Sequence, residues 1–186
     1  MTVGGQYVAA ALAGSVGSSE IQTTLTRHPV GGVVDIVDAR TEADKDTDAK
    51  AGRMVIENRR GVIQVRHGLT VAVNSVNTRE FSVVRAKHYM IESLRQTIDD
   101  QVIGQIVADS RAAFTVQLLV EAVLEGLVSE GAIVTYSGVT ASLTNLDPTL
   151  IQVSFQYLPA FPLNYVQISF SINTSTSVVT ATDTEV

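Results

Sequence analysis

The chain has 186 residues, 45% of them hydrophobic and 17% charged, with a formal net charge of −6. That is one domain with room for a small second lobe, apolar enough for a core and too sparsely charged for a disordered protein. The acidic balance without clustered Lys and Arg disfavours a nucleic-acid-binding surface, and the absence of cysteine excludes disulfides and thiolate metal sites.

Residues 1–19 are rich in Gly, Ala and Ser and predict a short helix over 7–13, broken at Gly14 and Gly17. No Lys follows these glycines, so a phosphate-binding loop is not read here. The apolar stretch lacks the basic flank of a signal peptide. Residues 20–26 read as polar and extended, and His28-Pro29 biases the chain away from helix. Residues 30–37 predict an apolar β segment with a bulge at Gly31-Gly32. Residues 38–50, DARTEADKDTDAK, are the most charged stretch. Asp38, Asp44, Asp46 and Asp48 bring a calcium loop to mind, but the required Gly and closing Glu are misplaced. A solvated loop or short exposed helix is expected instead.

Residues 53–57 and 61–66 are short β runs joined by Asn58-Arg59-Arg60-Gly61, which reads as a hairpin. Residues 69–76 predict a further strand. From residue 83 the apolar residues turn to helical spacing: Met90, Leu94, Ile98 and Val102 step by four. Thr78 is the expected N-cap and Gly104 the expected break. A second helix starts at Asp109 or Ser110 and carries Phe114, Leu118, Val120, Leu124, Leu127 and Val128. Gly131 reads as its C′ residue. A strand rich in β-branched residues follows at 132–136 and runs on towards Leu143.

Residues 144–148 are a turn signal. Residues 150–158 alternate, with Ile151, Val153, Phe155 and Tyr157 on one side. Pro159 and Pro162 interrupt pairing. A second alternation follows, with Val166, Ile168, Phe170 and Ile172 against Gln167, Ser169, Ser171 and Asn173. Such patterns predict an antiparallel or mixed sheet covered on one face. Residues 174–186 read as a tail, or as a strand awaiting a partner. The expected class is α/β (α+β): a mixed sheet packed against two long helices, with extended terminal arms.

Chemistry is sparse. His28, His67 and His88 have no partner at metal-ligand spacing, and no nucleophile elbow is present. Asp99 and Asp100 are adjacent and diverge around their helix. No catalytic residue, metal or cofactor is expected, and no apolar run approaches the ~20 residues that cross a bilayer.

Three stretches together resemble the tail sheath family of contractile phages, tailocins and contractile injection systems. The first is GVIQVRHGLTV leading into REFSVVRAKHYMIESLRQTI. The second is QVIGQIVADSRAAFTVQLLVEAVLEGLVSEGAI, in which Arg111, Leu124, Leu127, Gly131 and Ile133 carry the likeness. The third is the closing strand at 164–172. The resemblance covers residues 30–173. It implies a non-enzymatic structural subunit that forms stacked hexameric rings around a tail tube. Contraction of the polymer then drives the tube through the target envelope. It implies assembly in the host cytoplasm and residence in the virion tail. The implied partners are copies of the chain, the tube protein, and baseplate and tail terminator proteins, with neither nucleic acid nor membrane insertion.

The resemblance also implies terminal arms that add strands to a neighbouring subunit. Tyr165, Val166, Ile168, Phe170 and Ile172 are the expected inter-subunit strand, and Glu121, Glu125 and Glu130 the expected tube-facing helix positions. The implied division is an arm or linker at 1–28, a core at 29–173 and a tail at 174–186. Sheath proteins are usually much longer, so the sequence reads as a fragment, a minimal sheath or one half of a split pair. The competing readings are another self-assembling tail or baseplate protein and a small α/β enzyme.

Overall fold

The computed structural model describes residues 4–37, 40–144, 147–174 and 177–183, apart from the side chains of 110 and 170–183. In order, the elements are α1 (Gly5–Gly17), α2 (Glu42–Lys50), β1 (Ile56–Arg59), β2 (Val62–Val65), α3 (Val76–Arg79), α4 (Phe81–Gln101), α5 (Ser110–Ser129), β3 (Ile133–Leu143), β4 (Ile151–Pro159), β5 (Ile168–Thr174) and β6 (Ser177–Asp183). The class is α+β. The single mixed sheet expected from the sequence is replaced by three antiparallel two-stranded ladders, β1–β2, β3–β4 and β5–β6. Each ladder joins consecutive strands through a short connection, which only antiparallel pairing permits.

Two apolar clusters hold the fold. The larger contains Met90, Val116, Val120, Leu124, Leu127, Ala132 and Ile133. Ile151, Val153, Phe155 and Tyr157 of β4 close it from the sheet side. The smaller contains Leu25, Val30, Ile63 and Val65, with Phe81 packed against it. Helix α4 therefore serves both: Phe81 meets the small cluster and Met90 the large one.

Local signals explain most boundaries. Asp109 caps α5, its Oδ1 accepting from the Ala112 N–H at 2.7 Å. At the other end Gly131 takes a φ of +74°. The Ala132 N–H bonds Leu127 O and the Gly131 N–H bonds Val128 O. That is the Schellman ending, and it turns α5 directly into β3. Gly104 takes a φ of +73° just beyond α4. In the β1–β2 hairpin, Arg60 and Gly61 both have positive φ, 55° and 83°, the two-residue turn whose twist matches the strands.

Four expectations are corrected. Helix α1 runs through Gly14 rather than breaking there. Val8, Leu12 and Val16 step by four along it onto the small cluster, and that contact offsets a glycine cost of about 1 kcal/mol. Residues 30–37 form no strand. The Val30 N–H bonds Ile63 O, then Gly32 turns the chain at a φ of +78°. Residues 69–76 also form no strand. Leu69 makes an isolated bridge with Glu80, the N-cap residue of α4, and Thr78 Oγ1 donates to Ala72 O and folds the stretch into a turn. For the same reason Thr78 does not cap α4. Ser75 caps the short α3, and Glu80 occupies the N-cap of α4 without a side-chain cap bond.

The contrast along α5 is testable. Leu124 is 0% exposed and Phe114 is 62% exposed. Leu124→Ala should lower unfolding free energy by about 2–5 kcal/mol, whereas Phe114→Ala should change it by about 0.5 kcal/mol or less. Urea denaturation of both variants checks this.

Candidate assembly surface

The β3–β4 ladder is half exposed, its residues alternating between the core and solvent. Its inner face, including Tyr136, Val139, Ala141, Val153 and Phe155, packs against the large cluster. Its outer face is neutral and mostly polar, with Ser137, Thr140, Ser142, Gln152, Ser154 and Gln156, and with Val134 and Leu158 exposed near the α5 end. Thr140 and Ser154 share a hydroxyl hydrogen bond at 2.9 Å. Two register shifts bend β3, one of them beside Gly138 at a φ of +65°, which is how a bulge raises local twist. Neither strand has a second neighbour among the described residues, so both outer edges present backbone N–H and C=O groups. Neither strand carries a charge. Exposed edges are normally protected by Lys, Pro or a covering element.

This signal extends over the whole C-terminal third. Between Glu130 and Asp183, Asp147 is the sole charged residue. A charge map of the sequence would have marked β3 and β4 as part of the surface, alongside the closing strand.

The expected inter-subunit residues are split by the fold. Tyr165 and Val166 precede β5, in the segment 160–167 that links β4 to β5. Ile168, Phe170 and Ile172 lie in β5, opposite Asp183, Ala181 and Val179 of β6. The segment before β5 turns its apolar residues outward: Phe161, Leu163, Tyr165 and Val166 are exposed, Leu163 by 83%, as is Ile168 at the start of β5. Asn164 sits between them facing inward, and its Oδ1 is buried without a donor among the described residues. This is the reverse of the pattern that a strand covering its own core would show.

The expected helix residues occupy the end of α5. Glu121 accepts from Gln117 Nε2 at 3.0 Å. Glu125 accepts from the Tyr136 hydroxyl at 3.2 Å. Glu130 is the C-cap residue. Burial, then the Glu125 carboxylate, hold the Tyr136 phenol above its ordinary value. The outward stripe upstream is apolar instead: Phe114, Leu118 and Ala122 are all exposed. By length and composition residues 111–129 would suit a membrane span. In this fold the helix packs on α4 and β3, and its inner stripe is buried. A helix that is apolar on both faces needs cover on both.

No protein-family model matches the sequence. The chain is 32% identical over 184 residues to the tail sheath protein of Mycobacterium phage Bxz1, covering 98% of this chain and 32% of that protein. The fold is similar to a chain in the anti-feeding prophage baseplate, with a TM-score of 0.75 at 15% identity over 90% of this chain and 49% of the other. It is also similar to a chain of the anti-feeding prophage helical sheath in its contracted state, with a TM-score of 0.73 at 14% identity over 89% and 49%. The chain is a relative of the contractile tail sheath proteins. It spans about a third of the phage sheath protein it matches and about half of each prophage chain.

Charge in this sheath relative is concentrated on the opposite lobe, around Arg66 of the β1–β2 hairpin. Arg66 Nη1 reaches Glu42 Oε2 and Glu57 Oε2, each at 2.6 Å, and Nη2 reaches Asp46 Oδ1 at 2.7 Å. Glu57 is almost fully buried and Arg66 largely so. The three carboxylates hold the Arg66 guanidinium firmly charged against its burial. Asp48 pairs with Arg53 at 2.6 Å and with Arg40 at 3.0 Å. These aspartates therefore serve a capping box at Thr41–Asp44 and ion pairs. Asp38 lies outside the described residues. Among the described residues no His, Asp and Glu group could hold a metal ion.

The pairs predict a pH dependence. Arg66 first, then Lys45, holds the Glu42 carboxyl below its ordinary value, and Arg53 first, then Arg40, does the same for Asp48. A depressed carboxylate contributes stability that is present above its unfolded value and lost as pH falls through its folded value. Stability should therefore decline below about pH 4. Arg66→Met should be less stable than the parent at pH 7, and the gap should close as pH falls through the carboxylate range. Urea titrations of both proteins at several pH values check this; a gap independent of pH would contradict it.

Proposed function

We propose that this chain is a structural subunit of a contractile tail sheath. In this reading it polymerises with copies of itself as stacked hexameric rings around a tail tube. Contraction of the polymer drives the tube through the target envelope. The role is mechanical rather than catalytic, and the subunit resides in the tail of the particle after assembly in the host cytoplasm. The observation that carries the reading is the neutral β3–β4 ladder with both edges open, in a chain 32% identical to a phage tail sheath protein.

Strand addition is the mode that such a ladder invites, because a donated strand satisfies the edge groups. The donor in this reading is the segment beginning at Tyr165 and Val166 and continuing through Ile168, Phe170 and Ile172. Its magnitude sets the design. A strand pairing with the nine residues of β4 makes about four ladder bonds, each worth about 1 kcal/mol net. About 4 kcal/mol alone corresponds to a roughly millimolar dissociation constant. One such link is weak, so stability must come from many links closing rings at once. Residues 29–173 then act as the core, with 1–28 and 174–186 as arms. The exposed stripe of α5, with Glu121, Glu125 and Glu130 at its end, faces the tube protein. Baseplate and terminator proteins meet the polymer at its ends. A second reading, a sheath-like subunit confined to the baseplate, is favoured by the fold likeness to the anti-feeding prophage baseplate chain.

Negative-stain electron microscopy of the purified chain tests the proposal. Long ordered polymers are expected from the full chain, and short rings alone would favour the baseplate reading. Deleting residues 163–186 should abolish the polymers while circular dichroism keeps its helical signal. Unchanged polymers after that deletion would overturn the arm assignment.

A further inference from the structure

Helix α2 is attached in an unusual way. Its sequence, EADKDTDAK, buries Ala49 alone. In its N-terminal half Glu42 and Asp46 reach Arg66 of the β1–β2 hairpin, at 2.6 Å and 2.7 Å, while Asp48 pairs with the flanking Arg40 and Arg53. Its C-terminal end is fixed differently. Gly52 follows at a φ of +77°, so close to residues 70–71 that a Cβ would lie 2.7 Å from Thr70 O. The helix is thus pivoted by close approach at one end and closed by ion pairs at the other.

Beside it lie two cavities of about 370 Å³ each. The first is lined by Glu42, Asp46, Glu57, Arg66, His67 and Asn164. The second is lined by Asp46, Lys50, His67, Glu80, Asn164 and Tyr165. Asp46, His67 and Asn164 border both. Asn164 and Tyr165 belong to the segment 160–167, which leads into the β5–β6 hairpin. That segment is seated against the β1–β2 lobe by the ring contact of Tyr165 with His67, centroids 6.1 Å apart. Cavities flank it, and Asn164 Oδ1 is buried without a donor among the described residues.

We propose that α2 is a latch, closed by Arg66 and pivoting at Gly52, that seats the root of the C-terminal hairpin against the β1–β2 lobe. Closed, α2 supplies one wall of both cavities and keeps Asn164 and Tyr165 in place. Open, it removes Glu42, Asp46 and Lys50 from those walls. Water then reaches Asn164 Oδ1, the seat of Tyr165 loses a side, and the hairpin is free to leave in another direction. The segment is predisposed to release, because its inward polar group gains a partner only when the latch opens. The latch is ionic, so ions and competing charges act on it directly.

Amide hydrogen exchange of the full chain tests this. Glu42→Gln with Asp46→Asn removes both Arg66 pairs from α2, leaves Arg66 with Glu57 and keeps Asp48 with Arg40 and Arg53. Exchange should rise roughly tenfold or more over residues 42–50 and also over residues 160–167. The amides of β3, β4 and α5 should be unchanged, which separates latch opening from global unfolding. Arg66→Met should open the same two segments; if that variant unfolds instead, the double variant decides. A loosened α2 with unchanged exchange at 160–167 would overturn the coupling. Unchanged exchange at 42–50 in the double variant would show that the ion pairs do not close the helix.

Discussion

Everything in this fold depends on the seam where α5 becomes β3. Within seven residues the chain leaves a buried helical stripe at Leu127, reverses through the left-handed Gly131 and enters a strand whose first residue, Ile133, is buried. Leu124, Leu127, Ala132 and Ile133 occupy one cluster. The helix, its ending and the strand are therefore one packed unit rather than three. A side chain at position 131 would have to adopt a conformation that L-residues disfavour. The orientation of the whole β3–β4 ladder is set there, and with it the direction in which its open edges point.

That unit is finished on one side only. Its inner face is a conventional core, while its outer face is neutral and mostly polar and its edges are unpaired among the described residues. The chain downstream turns its apolar side chains outward at Leu163 and Tyr165. By contrast, the β1–β2 lobe settles its surface with charge, through Arg66 and the carboxylates of α2. One molecule thus carries two strategies. A charged lobe remains solvated, and a neutral third has little to keep it apart from other chains. In the sheath function proposed above that imbalance has a purpose, since a subunit that polymerises by strand addition would leave part of its β-structure to be completed by neighbours.

Much of this was legible in the sequence, and for identifiable reasons. Helices α4 and α5 announce themselves by four-residue apolar spacing, Asp109 by its capping chemistry, Gly131 by its place after the last apolar turn, and β4 by strict alternation. Where the reading failed, short apolar runs were mistaken for strands. Residues 30–37 and 69–76 have strand-like composition, yet a strand needs a neighbour, and sequence composition does not supply one. The same limit hid the three separate ladders behind a single expected sheet. In α1, glycines read as breaks are tolerated because tertiary contact at Val8, Leu12 and Val16 outweighs local preference. The Arg66 cluster was illegible because its carboxylates come from positions 42, 46 and 57, distant in sequence and joined only by folding.

Among the expected surface residues, Phe170 and Ile172 fall in a strand paired with β6, while Tyr165 and Val166 lie in the exposed approach to it. The hairpin and the ladder are similar in kind: β5 and β4 both alternate without a charge, and each pair forms its own sheet. Sedimentation velocity across a wide concentration range tests most directly whether copies of the chain complete one another. The account predicts that mean mass climbs steeply with concentration, well past that of a hexamer. A single species of 19.8 kDa at every concentration would contradict it.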